Sequence, residues 1–363
     1  MAELYNGANF VTSGNAENAG INAVAAEFRG ITTTILDVIG GSIDLSKHGE
    51  LDQSALDDAR TLYAGFTQAL NDSLPPEPAV EINQRLATGP ASNPQLKVLE
   101  YRPAAQSKQA AALPALLWMH GGGMLLGEAE QDMQLLRDIC KQLQCVVISV
   151  DYRLAPEHPY PAAIDDCFAA LQWMHDAASE LGIDQTRLAI GGVSAGGGLA
   201  ASLAIRVREQ ANFSIVLQAL LYPMLDDRNV PQQGKPSQPA IIWTQENNHD
   251  GWRAYLGDAF GQAGIPATAA AARLENFKGL APVWMTVGDI DLFAAENTRY
   301  ASNLLRGGVP TTLHIYPGAP HGFFTADLSA PSSVHCAQSL LKTLSEAFSG
   351  SSASLPSAQD SRS

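Results

Sequence analysis

The spacing of apolar and polar positions changes character near residue 95. Before it, Ala16 to Phe28 and Leu51 to Leu70 place apolar residues three and four apart, which predicts two helices, the second capped by Ser54. Leu74-Pro75-Pro76-Glu77-Pro78 ends this stretch, and Gly89-Pro90 with Asn93-Pro94 leads out of it. It shows little strand character and nothing catalytic; His48 reads as an exposed histidine in a polar loop.

After residue 95, short apolar runs alternate with helical spacing. Strands are predicted at Leu96 to Tyr101, Ala115 to Met119, Cys145 to Val150, Leu188 to Ile190, Ile215 to Leu221, Val283 to Val287 and Thr311 to Ile315. Helices are predicted at Glu128 to Leu143, Ala162 to Leu181, Leu199 to Val207, Ala295 to Leu305 and Ser332 to Phe348. This alternation predicts an α/β protein with a mostly parallel central sheet flanked by helices. About sixty residues separate Leu221 from Val283, too many for a simple crossover. They hold Asp226-Asp227-Arg228, a Pro/Gln-rich loop and a helical segment around Trp243 to Tyr255, and are expected to join the N-terminal helices as a lid. The division expected is 1–95 as a helical cap region, 96–348 as the catalytic domain with a cap insertion at about 226–278, and 349–363 as a disordered tail.

Charge and cysteine usage narrow the function classes. A net charge of −15 argues against nucleic acid or an anionic membrane surface as partner. Cys140, Cys145, Cys167 and Cys336 form no C-x-x-C pair and no metal-ligand spacing, so they read as buried thiols in a reducing compartment. MAELYNGANF has neither a basic region nor an apolar run, and no apolar stretch approaches membrane-spanning length. The expectation is a soluble cytoplasmic protein without stable membrane insertion.

Candidate chemistry begins at Arg187 to Arg208, where a strand must turn hard into a helix on Gly192-Val193-Ser194-Ala195-Gly196. In that setting G-x-S-x-G lifts a serine hydroxyl above the sheet edge and leaves the Ala195 amide pointing at the same space. A second element, His120-Gly121-Gly122-Gly123, follows the strand ending at Met119; its glycines let backbone amides approach a ligand, as in an oxyanion hole. A phosphate loop is disfavoured because no lysine-containing pattern accompanies it. His120 reads as a structural hydrogen bonder, not a base. The loop Tyr316-Pro317-Gly318-Ala319-Pro320-His321-Gly322-Phe323 supplies an imidazole that can take the serine proton. An acid comes from Asp289 or Asp291, and spacing alone does not choose between them. Met124, Leu125, Phe323 and Phe324 adjoin these loops and are the candidate substrate-pocket residues.

Taken together, His120-Gly-Gly-Gly, the run Asp151-Tyr-Arg-Leu-Ala-Pro-Glu-His-Pro-Tyr-Pro-Ala162, Gly192-x-Ser-x-Gly, Asp291-Leu-Phe and His321-Gly-Phe resemble the hormone-sensitive lipase family, the family IV microbial esterases, over roughly residues 95 to 348. The resemblance implies an α/β-hydrolase fold with a helical cap, a Ser194, Asp291, His321 triad, and an oxyanion hole from Gly122, Gly123 and Ala195. It selects Asp291 because Glu296 follows at the family's later acidic position. Arg153, Glu157 and His158 would brace the oxyanion loop from behind. Two positions depart from the family pattern: Val193 where Thr or Asp is common, and Gly198 where Asn is frequent. The implied activity is a serine carboxylesterase on small, uncharged esters of short to medium chain, needing no cofactor or metal. Homodimers through the last strand and helix are also implied. The alternatives are an amidase or deacetylase with the same triad, and a non-catalytic small-molecule receptor, which the intact His321 disfavours.

Overall fold

The computed structural model describes residues 23–38, 46–47, 50–104, 111–232 and 240–350. The expected helix start at Ala16, the N-terminal decapeptide, His48, most of the Pro/Gln-rich loop and the tail from 351 lie outside them.

Among the described residues the main sheet has eight strands: β1 (Val80–Thr88), β2 (Gln95–Pro103), β3 (Leu113–Met119), β4 (Val146–Val150), β5 (Ile183–Val193), β6 (Leu217–Leu221), β7 (Val283–Gly288) and β8 (Thr311–Tyr316). Their spatial order is β8-β7-β6-β5-β3-β4-β2-β1. From β4 to β8 every pairing is parallel; β2 pairs antiparallel with both β4 and β1. Side chains alternate across a strand, so a sheet covered on both faces needs apolar residues at every position. On β3, Leu116 and Trp118 enter one core, and Ala115, Leu117 and Met119 enter the other. The first face is covered by α3 (Met133–Leu143) and α8 (Pro331–Phe348), the second by α4 (Ala162–Asp176) and α5 (Ala195–Gln210). The fold is that of an α/β hydrolase.

The remaining helices of more than one turn among the described residues are α1 (Ala26–Val38), α2 (Gln53–Ser73), α6 (Gln245–Leu256) and α7 (Ala294–Arg306). Three sequence expectations need correction. Strand β1 lies in the region read as helical; only Val80 and Ala87 of its nine residues are buried, so it lacks an apolar signal and is held by its antiparallel partner β2. The cap of α2 is Asp52, whose carboxylate accepts the Ala55 amide at 2.9 Å, in place of Ser54. The predicted Glu128 helix starts only at Met133, after a turn closed from Gln131 N–H to the Glu128 carbonyl.

Parallel register brings the functional loops together. Met119 is paired with Gly192 across β3 and β5, so the glycine loop and Ser194 leave the sheet side by side. Tyr316 is paired with Gly288 across β7 and β8, which does the same for the Asp291 and His321 loops. Helix α1 is fastened to this edge: the Ala25 amide donates to the Gly318 carbonyl at 2.8 Å, and Glu27 accepts the Ser332 hydroxyl at 2.7 Å.

Candidate active site

Ser194 sits between β5 and α5 at φ 54° and ψ −119°, a conformation that L residues rarely adopt. Three segments hold it there. Its amide donates to the Leu221 carbonyl at 2.9 Å, and its carbonyl accepts the Gly198 and Met224 amides at 2.9 and 3.0 Å. A side chain at Gly196 would overlap the Met119 carbonyl, so the helix can fold back over β3 only on glycine.

His321 bridges serine and acid. Its Nε2 accepts the Ser194 hydroxyl at 2.9 Å, and its Nδ1 donates to Asp291 Oδ2 at 2.8 Å. The other Asp291 oxygen accepts the Phe293 amide at 2.9 Å. All three side chains are buried, and the rings of Tyr222 and Phe293 each stand edge-on to the imidazole at 5.1 Å. Packing and hydrogen bonds therefore fix both the ring and its tautomer. Asp289 takes no part: its Oδ1 accepts the Gly318 amide at 2.6 Å.

The glycine loop closes on itself, with the Leu125 and Leu126 amides donating to the Gly122 carbonyl at 3.0 and 2.9 Å. Gly123 has φ +62°, and a Cβ there would overlap the ring of Trp243. Among the described residues, the Gly122, Gly123 and Ala195 amides have no protein acceptor. His120 lies behind the loop, as expected. Its Nδ1–H donates to the Gly121 carbonyl at 2.8 Å, and its ring stacks on Tyr152 with centroids 4.1 Å apart. Burial holds its pKa below the ordinary value, and it does not reach Ser194.

The brace behind the loop is built somewhat differently from expectation. Arg153 pairs with buried Asp166 at 2.8 Å, the Tyr152 hydroxyl donates to the His120 carbonyl at 2.8 Å, and His158 is exposed. Glu157 turns outward to Arg60 of α2. Arg60 also donates to the Leu125 and Ala155 carbonyls, both at 2.9 Å. One N-terminal side chain thus grips the glycine loop and the segment behind it, and no sequence motif marks that role.

A cavity of about 870 Å³ opens over Ser194 and His321. The four sequence candidates for its wall do not line it: Met124, Leu125, Phe323 and Phe324 are at most 2% exposed and belong to the two cores. At Met124 the chain has positive φ, and the Ala155 amide donates to its carbonyl, turning these residues inward. The wall comes instead from Ala59, Leu62, Tyr63, Phe66 and Leu70 of α2, Ile31 and Ile35 of α1, and Ile242 and Trp243 of the insertion.

The chain is similar to known proteins in sequence and in fold. Residues 116–325 match the family described as alpha/beta hydrolase fold. Esterase LipI of Mycobacterium tuberculosis is 34% identical over 69% of this chain and 77% of its own length. Carboxylic ester hydrolase LipN of the same organism is 32% identical over 75% and 72%. The solved structure of a bacterial heroin esterase superposes with a TM-score of 0.79 at 30% identity, covering 90% of this chain and 99% of the other. These matches define the class as the α/β hydrolases. Within it the chain belongs to the hormone-sensitive lipase family and is a carboxylic ester hydrolase.

No group of three or more His, Cys, Asp or Glu residues among the described residues could hold a metal ion. No described helix is long and apolar enough to cross a membrane.

Proposed function

We propose that the chain hydrolyses small carboxylic esters of short to medium chain through a covalent acyl-enzyme. The observation that carries this reading is the single imidazole of His321, bonded to Ser194 on one side and to Asp291 on the other at the floor of a largely apolar cavity. As the Ser194 oxygen attacks the ester carbonyl, its proton passes to His321 Nε2, and Asp291 stabilises the resulting imidazolium. The Gly122, Gly123 and Ala195 amides receive the oxyanion; each such donor is worth about 3 kcal/mol in the transition state. Collapse expels the alcohol, which takes the proton from His321. A water then repeats the sequence on the acyl-enzyme and frees the acid and Ser194.

The N-terminal helices and the insertion act as a cap, since both supply cavity wall that the sheet domain does not. The four buried free thiols support a cytoplasmic location. The edge strand β8, with Ile315 46% exposed, is the surface we assign to homodimer formation.

The test is hydrolysis of p-nitrophenyl esters across acyl lengths, wild type beside Ser194→Ala. Turnover should vanish in the variant with folding intact; equal turnover in both would sink the reading.

A further inference from the structure

The cavity has a charge asymmetry that ester hydrolysis itself does not require. Among the described residues its lining includes three carboxyl groups, Asp58, Asp132 and Asp327, and neither lysine nor arginine. Asp58 is exposed on α2 and Asp327 is half-buried with its Oδ1 accepting from Ser329, so neither is a deep group. Asp132 differs. It is 6% exposed, at the N-terminus of α3, and its Oδ2 accepts the Trp118 indole N–H at 2.8 Å. Among the described residues no other donor reaches its carboxyl group, so Oδ1 is unpartnered in a residue of the cavity wall. Nearby wall comes from Tyr63 and Gln131.

A carboxylate oxygen that faces a cavity and has no protein donor is free to accept a charge-assisted hydrogen bond from a ligand. A carboxylate in an apolar chamber attracts a cation and repels a second anion far more than it would in water. Resting on the assignment of Ser194 as nucleophile, we propose that Asp132 is a specificity-determining residue. It favours esters that carry a protonated amine and disfavours esters that carry a carboxylate. Burial pushes the Asp132 carboxyl up to about 6, which still leaves it mostly ionised at about pH 7.5.

The experiment uses two series of esters followed by pH-stat at about pH 7.5, where a dialkylamino group is protonated. One series varies the alcohol with butyryl fixed, and the other varies the acyl group with the methyl ester fixed. Each contains a dimethylamino member, its neutral branched-alkyl isostere and a carboxylate of similar length. In at least one series the wild type should favour the amine over its neutral isostere by about tenfold in kcat/KM, with the carboxylate slowest. Asp132→Asn should collapse that ratio toward one and raise the carboxylate relative to the neutral ester. Equal wild-type rates across charge in both series would overturn the proposal without any variant, so a failure of Asp132→Asn to fold leaves the test intact. A preference unchanged in a folded Asp132→Asn enzyme would overturn it too. Ser194→Ala separates the two levels: turnover persisting there refutes the nucleophile assignment whatever the charge preference.

Discussion

Arg60 and Glu157, 97 residues apart, form a two-point ion pair with nitrogen–oxygen distances of 2.7 and 2.9 Å, while the same guanidinium holds the Leu125 carbonyl of the glycine loop. Helix α2 and the glycine loop are therefore joined through one side chain. Arg60→Ala should lower kcat/KM by about tenfold, because small displacements of positioned donors are expensive in rate. Lysine, lacking the fork, should restore little. Steady-state kinetics on one ester across the three proteins decides this.

The same pair has a pH signature. Arg60 holds the Glu157 carboxyl at about 2, below its ordinary value of 4.5. A carboxylate depressed in the folded state contributes stability above the unfolded value and loses it as pH falls through the folded one. Glu157→Gln should therefore flatten the acid limb between about pH 4.5 and 2, and only slightly, since the pair is open to water. Urea unfolding at a series of acidic pH values reads that slope.

Glu296 gives the opposite sign. It is buried, accepts the Leu225 and Asp226 amides and the Asn229 side chain, and burial raises its pKa from 4.5 to about 8. The folded state thus keeps a proton that the unfolded chain releases, so stability is greatest below about 4.5 and declines as pH rises toward about 8. In Glu296→Gln this decline should disappear, seen as convergence of the two unfolding curves near pH 8 relative to pH 5. A wild-type slope retained in the variant would assign the decline to another group.

Trp243 occupies the space a side chain at Gly123 would need. Gly123→Ala should lower kcat by about a hundredfold as the loop and its amide shift, with a smaller effect on KM. Adding Trp243→Ala should recover part of the loss; recovery stays incomplete because the positive φ remains strained for alanine. A double-mutant cycle on kcat measures the coupling.

Asp291→Asn should lower kcat by about four orders of magnitude through loss of the fixed tautomer. Asp289→Asn should remain within a fewfold of wild type, since among the described residues that carboxylate accepts from the Gly318 amide and not from His321. Parallel kinetics on the two variants, with circular dichroism as a folding control, tests the choice.

Much of the sheet was legible because residues buried on both faces, such as those of β3 and β4, leave nearly unbroken apolar runs. Strand β1 was not, since its polar residues face water and a partner strand defines it. At the site, Ser194, His321 and the alternative Asp289 or Asp291 stood out through loop context, while the choice of Asp291 came from family resemblance. The cavity wall was illegible for a definite reason. Ala55, Ala59, Leu62, Phe66 and Leu70 have the spacing of a core-facing stripe, yet of α2 only Leu56 and Thr67 are buried, and the stripe borders the cavity. Gly198 explains its own departure from the family pattern: a Cβ there would overlap the Met224 carbonyl, whose residue also bonds Ser194.

The strained backbone of Ser194 is held from Leu221, Gly198 and Met224, and its base arrives from 127 residues further along the chain. A chain that has formed its helices and most of its sheet but has not docked its last loops carries an ordinary serine at this position. Reactivity toward an active-site acylating probe is thus a gauge of completed folding, one that secondary-structure signals cannot replace. During refolding, labelling of Ser194 should lag behind the recovery of helix by the time needed to close the longest of these loops.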